Sequence, residues 1–163
     1  MTGVTIRRVM DHDFEQWSAL FTAYRDFYRL IPDPDVVDRV WSWLMDHDHE
    51  VNAFVADVEG RLVGFAHYRP FSRPSTGTVG LYLDDLFASP DVRGTGVGRA
   101  LVDEVTAAAQ RDGRSVVRWI TAESNTQARR LYDGLAQATH WVTYDRTPNP
   151  AWPRTTHPDS VVR

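Results

Sequence analysis

The stretch from Ser89 to Val105, SPDVRGTGVGRALVDEV, contains the residues whose types and spacing best suit chemistry. Gly94, Gly96 and Gly98 alternate with other residues directly before a helical pattern. Glycine loses the most backbone freedom on folding, so its repetition here indicates that bare backbone is required. The first turn of a helix has unpaired N–H groups, and its dipole favours negative charge. The stretch therefore predicts a loop whose amides converge on the oxygens of a phosphate-bearing ligand.

Three kinds of nucleotide site use such a loop. A P-loop needs a lysine after its last glycine, and this chain contains no lysine. A dinucleotide-binding fold places Gly-x-Gly-x-x-Gly after its first strand, whereas these glycines are evenly spaced and follow the fourth predicted strand. The third kind binds a pyrophosphate with the pattern Arg-x-x-Gly-x-Gly. Arg93, Gly96 and Gly98 satisfy that pattern, and Arg99 could add a second charged donor.

Composition and charge limit the classes of function. The chain has 163 residues, 42% hydrophobic and 25% charged, as expected for one globular domain. Its 22 acidic and 18 basic residues argue against general nucleic-acid binding. The lack of cysteine excludes disulfides, thiolate nucleophiles and thiolate zinc sites, and the HDH stretch at 47–49 favours a solvated loop over a metal site. No apolar run approaches the ~20 residues of a membrane span, and no signal peptide is visible, so we expect a cytoplasmic protein.

Hydrophobic periodicity predicts the elements that position the loop. Helical spacing indicates two early helices, with Asp11 as the cap of the first. The predicted helices cover 11–29, 36–45, 98–111 and 125–136, and the predicted strands cover 4–9, 53–58, 62–68, 78–88, 115–123 and 139–146. The order β-α-α-β-β-β-α-β-α-β predicts an α/β fold with a mixed sheet. Residues 147–163 contain four prolines and predict an extended C-terminal appendage to a domain of residues 1–146.

A second motif follows the glycine loop. The segment ESNTQARRLYDGL contains Asn125, Ala128 and Tyr132 at the spacing Asn-x-x-Ala-x-x-x-Tyr. With this motif and the Arg-x-x-Gly-x-Gly pattern, the sequence resembles the GCN5-related N-acetyltransferases (GNAT), which move an acetyl group from acetyl-CoA to an amine. The resemblance covers about residues 4–146. It implies a mostly antiparallel sheet of six to seven strands with about four helices, in which strands four and five are parallel and splayed.

The resemblance implies acetyl-CoA as cosubstrate and no metal. The coenzyme's diphosphate is expected on residues Arg93, Gly94, Thr95, Gly96, Val97, Gly98 and Arg99. Its pantetheine arm is expected to pair with the backbone of Leu86, Phe87 and Ala88, where a main-chain N–H would polarise the acetyl carbonyl. Asn125 and Ala128 complete the expected coenzyme site. Asn125 could equally be an ordinary helix cap, and the two roles are compatible.

Tyr132 matches the family's general acid. An unperturbed tyrosine has a pKa near ~10, so at neutral pH it donates a proton, which suits a departing thiolate. The alternative is a core tyrosine at helical spacing with Leu131 and Leu135.

Asp84 and Asp85 lie midway along the fourth predicted strand, directly before the expected acetyl site. Alternation sends adjacent side chains of a strand to opposite faces. The stretch LYLDDLFA, together with Trp119, resembles the diamine and polyamine branch of the family, where an acidic pair precedes two bulky residues. Asp84 matches the family's Glu that contacts the substrate amine, although its side chain is shorter. The alternative is that both aspartates are edge charges facing solvent.

Further candidates surround the expected acceptor pocket. Glu123, at the end of the fifth predicted strand, could relay a proton. Tyr24, Tyr28 and Trp41 lie on the early helices, where the family closes its pocket and where aromatic faces could hold an ammonium group. The alternative is that these rings belong to the core.

These features predict an acetyl-CoA-dependent N-acetyltransferase. Without cysteine an acyl-cysteine intermediate is impossible, so the amine is expected to attack the thioester directly in a ternary complex. We expect a small primary amine as acceptor: a polyamine, a diamine or an amino-acid-like compound. The alternatives are a protein acceptor (an N-terminus or a lysine) and a non-catalytic CoA-binding regulatory domain. We also expect a homodimer, because the family commonly dimerises and WVTYDR offers an exchangeable strand.

Overall fold

The computed structural model describes residues 3–148, which form one five-stranded sheet and four α-helices. The strands are β1 Thr5–Arg8, β2 Asn52–Val58, β3 Arg61–Arg73, β4 Thr78–Ala88 and β5 Val117–Arg118. The helices are α1 Phe14–Phe27, α2 Pro34–Met45, α3 Val97–Arg111 and α4 Thr126–Tyr132. A short 3-10 turn precedes α1, so Asp13 flanks that helix in place of the predicted Asp11. The predicted appendage at 147–163 lies almost entirely outside the described residues.

The sheet has the order β1-β2-β3-β4-β5, and neighbours are antiparallel except for the parallel pair β4 and β5. That parallel pairing joins Leu81 to Val117 and Tyr82 to Arg118, and it extends no further. Within residues 3–148, the β5-facing edge of β4 from Leu83 to Ala88 therefore has no strand beside it. The splayed parallel pair expected from the sequence is confirmed, and it opens the sheet on the side of the glycine loop.

Helices cover both faces of the sheet, and each face has its own core. On one face α3 packs against residues such as Phe54 and Leu83. On the other face α1 and α2 pack against Val55, Phe65 and Phe87. Burial on both sides explains why β2 and β3 have continuous apolar runs and not a simple alternation.

The strand β4 contains a bulge at its acidic pair. His67 pairs with Asp85 and the next residue of β3, Tyr68, pairs with Leu83, so Asp84 is the extra residue. A bulge changes the direction in which later side chains of a strand point. Here it places Asp85 opposite His67, on the face covered by α1.

The sheet has fewer strands than the six to seven predicted. The predicted strand at 115–123 is reduced to Val117–Arg118, and the predicted strand at 139–146 forms no regular structure. An isolated strand has no acceptors for its amides, so a strand-like sequence without a neighbouring strand does not form a strand. In the described part of the chain, no neighbouring strand lies beside 139–146.

Candidate active site

A cleft of about 360 Å³ opens where β4 and β5 diverge. Its walls come from the C-terminal end of α1, the end of β4, the glycine loop and α4. The predicted site residues that line it are Tyr28, Leu86, Phe87, Ala88, Arg93, Gly94, Gly96, Val97, Gly98, Arg99, Asn125, Ala128 and Tyr132. Phe27, Val92, Gln127 and Leu131 also line it, and the sequence analysis did not identify them. The two motifs, more than 25 residues apart in sequence, thus meet at one site.

The glycine loop presents free amides to this cleft. Gly94 and Gly96 have φ angles of 79° and 96°, in the left-handed region that favours glycine. A Cβ at either position would contact nothing within 4 Å, so backbone conformation and not crowding selects glycine there. No acceptor within residues 3–148 pairs with the amides of Gly94, Gly96, Val97, Gly98 or Arg99. These N–H groups at the start of α3 suit the oxygens of a diphosphate.

Thr95 has a different role from its neighbours. Its amide and its hydroxyl both donate to the carbonyl of Val92, at 3.3 and 2.7 Å. Thr95 does not line the cleft, and its hydrogen bonds hold the loop in shape.

The helix α4 is held against the start of α3. A Cβ on Gly98 would lie 3.2 Å from Leu131 Cδ2, so a glycine here lets the two helices approach closely. Asn125 Oδ1 accepts from the Ala128 amide at 3.2 Å, which caps α4. The predicted cap is therefore present, and the Asn125 side chain still lines the cleft.

Tyr132, at the end of α4, lies in the cleft wall with its ring against Trp119 at 5.3 Å between centroids. Burial, together with the nearby Tyr28 hydroxyl, raises the pKa of Tyr132 to about 12. The hydroxyl therefore keeps its proton at neutral pH and can act only as a donor toward a developing anion.

Asp85 lies on the same face of β4 as Phe87, two residues before it. It belongs to a hydrogen-bonded group that includes the buried side chains of His67 and Trp17. His67 Nδ1 is 2.8 Å from Asp85 Oδ2, and His67 Nε2 accepts from Trp17 Nε1 at 3.0 Å. The Tyr24 hydroxyl interacts with the same carboxylate. Burial by itself would raise the pKa of Asp85, but the bonds from His67 and Tyr24 outweigh it and the pKa is lowered. The sequence analysis did not identify His67 or Trp17.

A row of tyrosines links Asp85 to the cleft. The Tyr24 ring lies 4.9 Å from Tyr28 and 6.2 Å from Phe87, and both of these line the cleft. Burial, followed by the Asp85 charge, raises the pKa of Tyr24, so its hydroxyl also remains protonated.

Asp84 and Glu123, like Asp85, are not among the residues that line the cleft. Asp84 pairs with Arg69, with Nε 3.1 Å from Oδ2, and burial raises its pKa against the effect of Arg69. Glu123 is exposed, and its backbone carbonyl accepts from Arg129 at 3.1 Å.

Trp41 belongs to the core on the α1 face. Its ring lies 5.2 Å from Phe14 and 5.1 Å from Trp17. Of the three early aromatic candidates, Tyr28 lines the cleft, Tyr24 contacts Asp85, and Trp41 packs between the helices.

The Arg93 side chain turns toward the end of β4. Its guanidinium lies 5.5 Å from the Phe27 ring and 5.9 Å from the Phe87 ring, and Nε donates to the Ala88 carbonyl at 3.4 Å. Arg93 thus adds positive charge to the wall between the amide loop and the tyrosines.

Residues 3–148 offer neither a cluster of metal-binding side chains nor a membrane-spanning helix. No group of three or more histidine and carboxylate side chains within 3–148 could hold a metal ion. No helix in this range is long and apolar enough to cross a membrane.

Comparison with known proteins identifies the family. The family model described as "Acetyltransferase (GNAT) family" matches residues 15–135. The chain belongs to the GNAT family. This GNAT chain is 29% identical over 145 residues to the D-amino-acid N-acetyltransferase HPA3 of Saccharomyces cerevisiae, covering 88% of this chain and 90% of that protein.

Solved structures show the same fold. The ribosomal-protein-alanine N-acetyltransferase from Brucella melitensis superposes with a TM-score of 0.75 at 26% identity, covering 89% of this GNAT chain and 99% of that one. The aminoglycoside N-acetyltransferase AAC(6')-Iy, solved in complex with CoA, superposes with a TM-score of 0.79 at 19% identity, covering 91% and 97%. The protein is thus an acetyl-CoA-dependent N-acetyltransferase.

The cleft residues fit this cosubstrate. The free amides from Gly94 to Arg99 suit the coenzyme's diphosphate, and the uncovered edge of β4 offers backbone groups to its amide-containing arm. Acetyl-CoA supplies the acetyl thioester when bound. Next to the expected position of the thioester, burial keeps the proton on Tyr132, and the pKa of Asp85 is lowered.

Proposed function

We propose that this enzyme acetylates the primary amine of a small cationic molecule, such as a polyamine, a diamine or an amino-acid-like compound. The observation that carries the proposal is the Asp85 carboxylate, 25% exposed, ionised and bordered by aromatic rings next to the cleft end. A carboxylate beside aromatic faces attracts an ammonium group. The relative HPA3 is named for acetylating D-amino acids, which are also small amines.

The neighbouring carboxylates have pKa values displaced in opposite directions. Burial raises the pKa of Asp84, whereas His67 and Tyr24 overcome the burial of Asp85 and lower its pKa. Carboxylates whose environments separate their pKa values commonly take different roles in acid–base chemistry. We therefore assign ammonium binding to Asp85 and removal of its proton to Asp84, directly or through water.

The transfer then proceeds by direct attack in a ternary complex. The amine nitrogen forms a bond to the acetyl carbon while a main-chain N–H of Leu86, Phe87 or Ala88 polarises the carbonyl. The carbon–sulfur bond breaks, and Tyr132 gives its proton to the departing thiolate. Asp84 has taken the first proton of the ammonium group before the attack, and the second proton that the nitrogen loses returns through water to Tyr132. Glu123 is exposed and does not line the cleft, so it takes no part in this scheme. Its role as a proton relay stays a prediction.

The proposal is tested by thiol release from acetyl-CoA with a panel of diamines, polyamines, D- and L-amino acids, and reactions without amine. Mass spectrometry of the products identifies the acetylated molecule. We expect release that depends on a small amine. Binding of acetyl-CoA without thiol release for any amine would favour the non-catalytic regulatory domain.

A protein N-terminus is a second candidate acceptor. The likeness to a ribosomal-protein-alanine N-acetyltransferase, at 26% identity, favours it. A peptide with an N-terminal alanine belongs in the same panel. A higher kcat/KM for this peptide than for every small amine would select the protein acceptor.

We also propose that the enzyme is a homodimer formed through the segment 139–146. Its side chains Trp141 and Tyr144 are 87% and 90% exposed within the described structure. A segment with exposed aromatic side chains and no neighbouring strand in residues 3–148 favours pairing with a second copy. Sedimentation of the full chain is expected to give twice the mass of one chain, and the mass of one chain at micromolar concentration would contradict this.

A further inference from the structure

We infer that His67 is a positioning residue for acetyl transfer, which holds the Asp85 carboxylate in place for the acceptor amine. The inference rests on the proposed role of Asp85. What it adds is a hydrogen-bonded group that consists of Trp17 on α1, His67 on β3 and Asp85 on β4.

The geometry determines which nitrogen of His67 bears hydrogen. The indole N–H of Trp17 can only donate, so His67 Nε2, at 3.0 Å, must accept. The hydrogen of the neutral ring is then on Nδ1, which donates to Asp85 Oδ2 at 2.8 Å. Trp17 therefore selects the tautomer that makes His67 a donor toward the carboxylate.

Aromatic packing keeps the imidazole in this orientation. The His67 ring lies 4.5 Å from Phe65 and 5.2 Å from Phe21 between centroids, and both His67 and Trp17 are buried. A close-packed ring cannot rotate without displacing its neighbours. The Nδ1–H group is therefore a fixed donor.

The carboxylate has capacity left for a ligand. His67 engages one oxygen of Asp85, and a carboxylate accepts about four hydrogen bonds in total. The Asp85 side chain is 25% exposed, whereas the His67 side chain is 2% exposed. The group is thus closed at the Trp17 end and open at the Asp85 end, beside Tyr24 and the cleft.

If His67 served packing alone, it would not need hydrogen bonds to Trp17 and Asp85. The rings of Phe21 and Phe65 that pack against His67 are apolar, and a buried polar side chain costs free energy unless its hydrogen bonds are made. An apolar residue would fill the position without that requirement. The hydrogen bond between His67 and Asp85 lies at the open end of the group, which suits a role toward the substrate.

The test compares three variants at one position. His67→Ala removes the donor to Asp85, and His67→Asn keeps an N–H close to the Nδ1 position. His67→Gln instead places its amide near Nε2, within reach of Trp17. We expect His67→Ala and His67→Gln to raise the amine KM about 10- to 100-fold. We expect His67→Asn to retain an amine KM within about tenfold of the wild type. The affinity for acetyl-CoA, measured by calorimetry, is expected to be unchanged in all three.

His47→Ala is the matched control, since it removes an exposed histidine that does not line the cleft. An equal loss of amine and acetyl-CoA affinity in every variant would show a merely structural role and overturn the inference. An unchanged amine KM in folded His67→Ala would overturn it too, while leaving the proposed function in place. No turnover of any amine by the wild type would overturn both.

Nitrogen NMR of the wild-type enzyme tests the geometry even if the variants fail to fold. We expect His67 with a protonated Nδ1 and an unprotonated Nε2 near neutral pH. The opposite tautomer would remove the donor to Asp85 and overturn the inference.

Discussion

Asp13 and Asp85 are two carboxylates whose partners differ in kind, the first buried and the second partly exposed. Asp13 lies just before α1 and pairs with Arg7 of β1 through both oxygens, at 2.7 and 2.9 Å. It also accepts from the Met10 amide at 2.8 Å. Asp85 is held by the imidazole of His67 and by Tyr24. One carboxylate has a permanent cation, and the other has none in direct contact among the described residues.

This difference separates stability from function. Arg7 and the Met10 amide use the hydrogen-bonding capacity of Asp13, whose side chain is 2% exposed, so no ligand can compete for it. Under the proposed function, an incoming ammonium group would complete the electrostatic environment of Asp85, which has no arginine in direct contact among residues 3–148. The different partners, an arginine and a histidine, then suit a structural role for Asp13 and a substrate-binding role for Asp85.

The largest expected effect comes from removing the cation of the first carboxylate. Arg7→Ala leaves Asp13 buried without its partner, and we expect a loss of about 3 kcal/mol in the free energy of unfolding. Urea denaturation measures it. Arg61→Ala, which removes an exposed pair with Asp91, is the control and should have little effect. A loss equal to that of the control would mean that Asp13 is as easily hydrated as a surface group.

Tyr132→Phe tests the assignment of chemistry to the cleft. We expect kcat to fall at least ~10-fold, because the thiolate loses its proton donor. The acetyl-CoA affinity and the free energy of unfolding should change little. Since the pKa of Tyr132 is raised to about 12, a fall in wild-type activity near pH 9 would have to come from another group. An unaffected kcat would remove Tyr132 from the mechanism.

Gly96→Ala tests whether the coenzyme loop works independently of both carboxylates. A Cβ at φ 96° imposes strain of about 1–2 kcal/mol, relieved by moving the amides of the loop. We expect weaker acetyl-CoA binding, by about 5- to 30-fold, with an unchanged amine KM. Gly77→Ala has a similar positive φ of 64° in a turn of the exposed surface and is the matched control. Equal acetyl-CoA affinities for the two variants would exclude the loop from binding.

The smallest expected effect is a change at acid pH in the stability difference between wild type and Arg7→Ala. Burial would raise the pKa of Asp13, but Arg7 and the Met10 amide lower it below its unfolded value of about 3.9. The stabilisation is therefore complete above that unfolded value and is lost as the pH falls through the folded pKa. We expect the stability difference between wild type and Arg7→Ala to shrink as the pH falls from about 4 through the folded pKa of Asp13. A difference that stays constant over that range would contradict this assignment.

Local signals predicted the elements around the coenzyme well. The strand at 78–88 and the helix that follows the glycine loop agree with the structure to within one residue. Asn125 caps α4, and Tyr132 reaches the cleft wall, as their spacing indicated. Caps, glycines and periodicity act within a few residues, so a sequence displays them directly.

Contacts between distant residues could not be predicted in the same way. His67 and Trp17 are 50 positions apart, and they meet only because α1 packs on β3. The bulge at Asp84 depends on the register of two strands, which alternation along one strand does not reveal. The segment 139–146 has β-branched and aromatic residues typical of a strand, but a strand also needs a neighbour.

The central claim is that Asp85 binds the acceptor amine and that Asp13 stabilises the fold. Two measurements on the variants Asp13→Asn and Asp85→Asn test it most directly. The measurements are the free energy of unfolding and the KM for the best amine of the panel. We predict a crossed result: Asp13→Asn loses about 1–3 kcal/mol of stability with a wild-type KM, and Asp85→Asn raises the KM at least ~10-fold with a smaller loss of stability. An unchanged KM in Asp85→Asn, accompanied by the same loss of stability as in Asp13→Asn, would contradict the account.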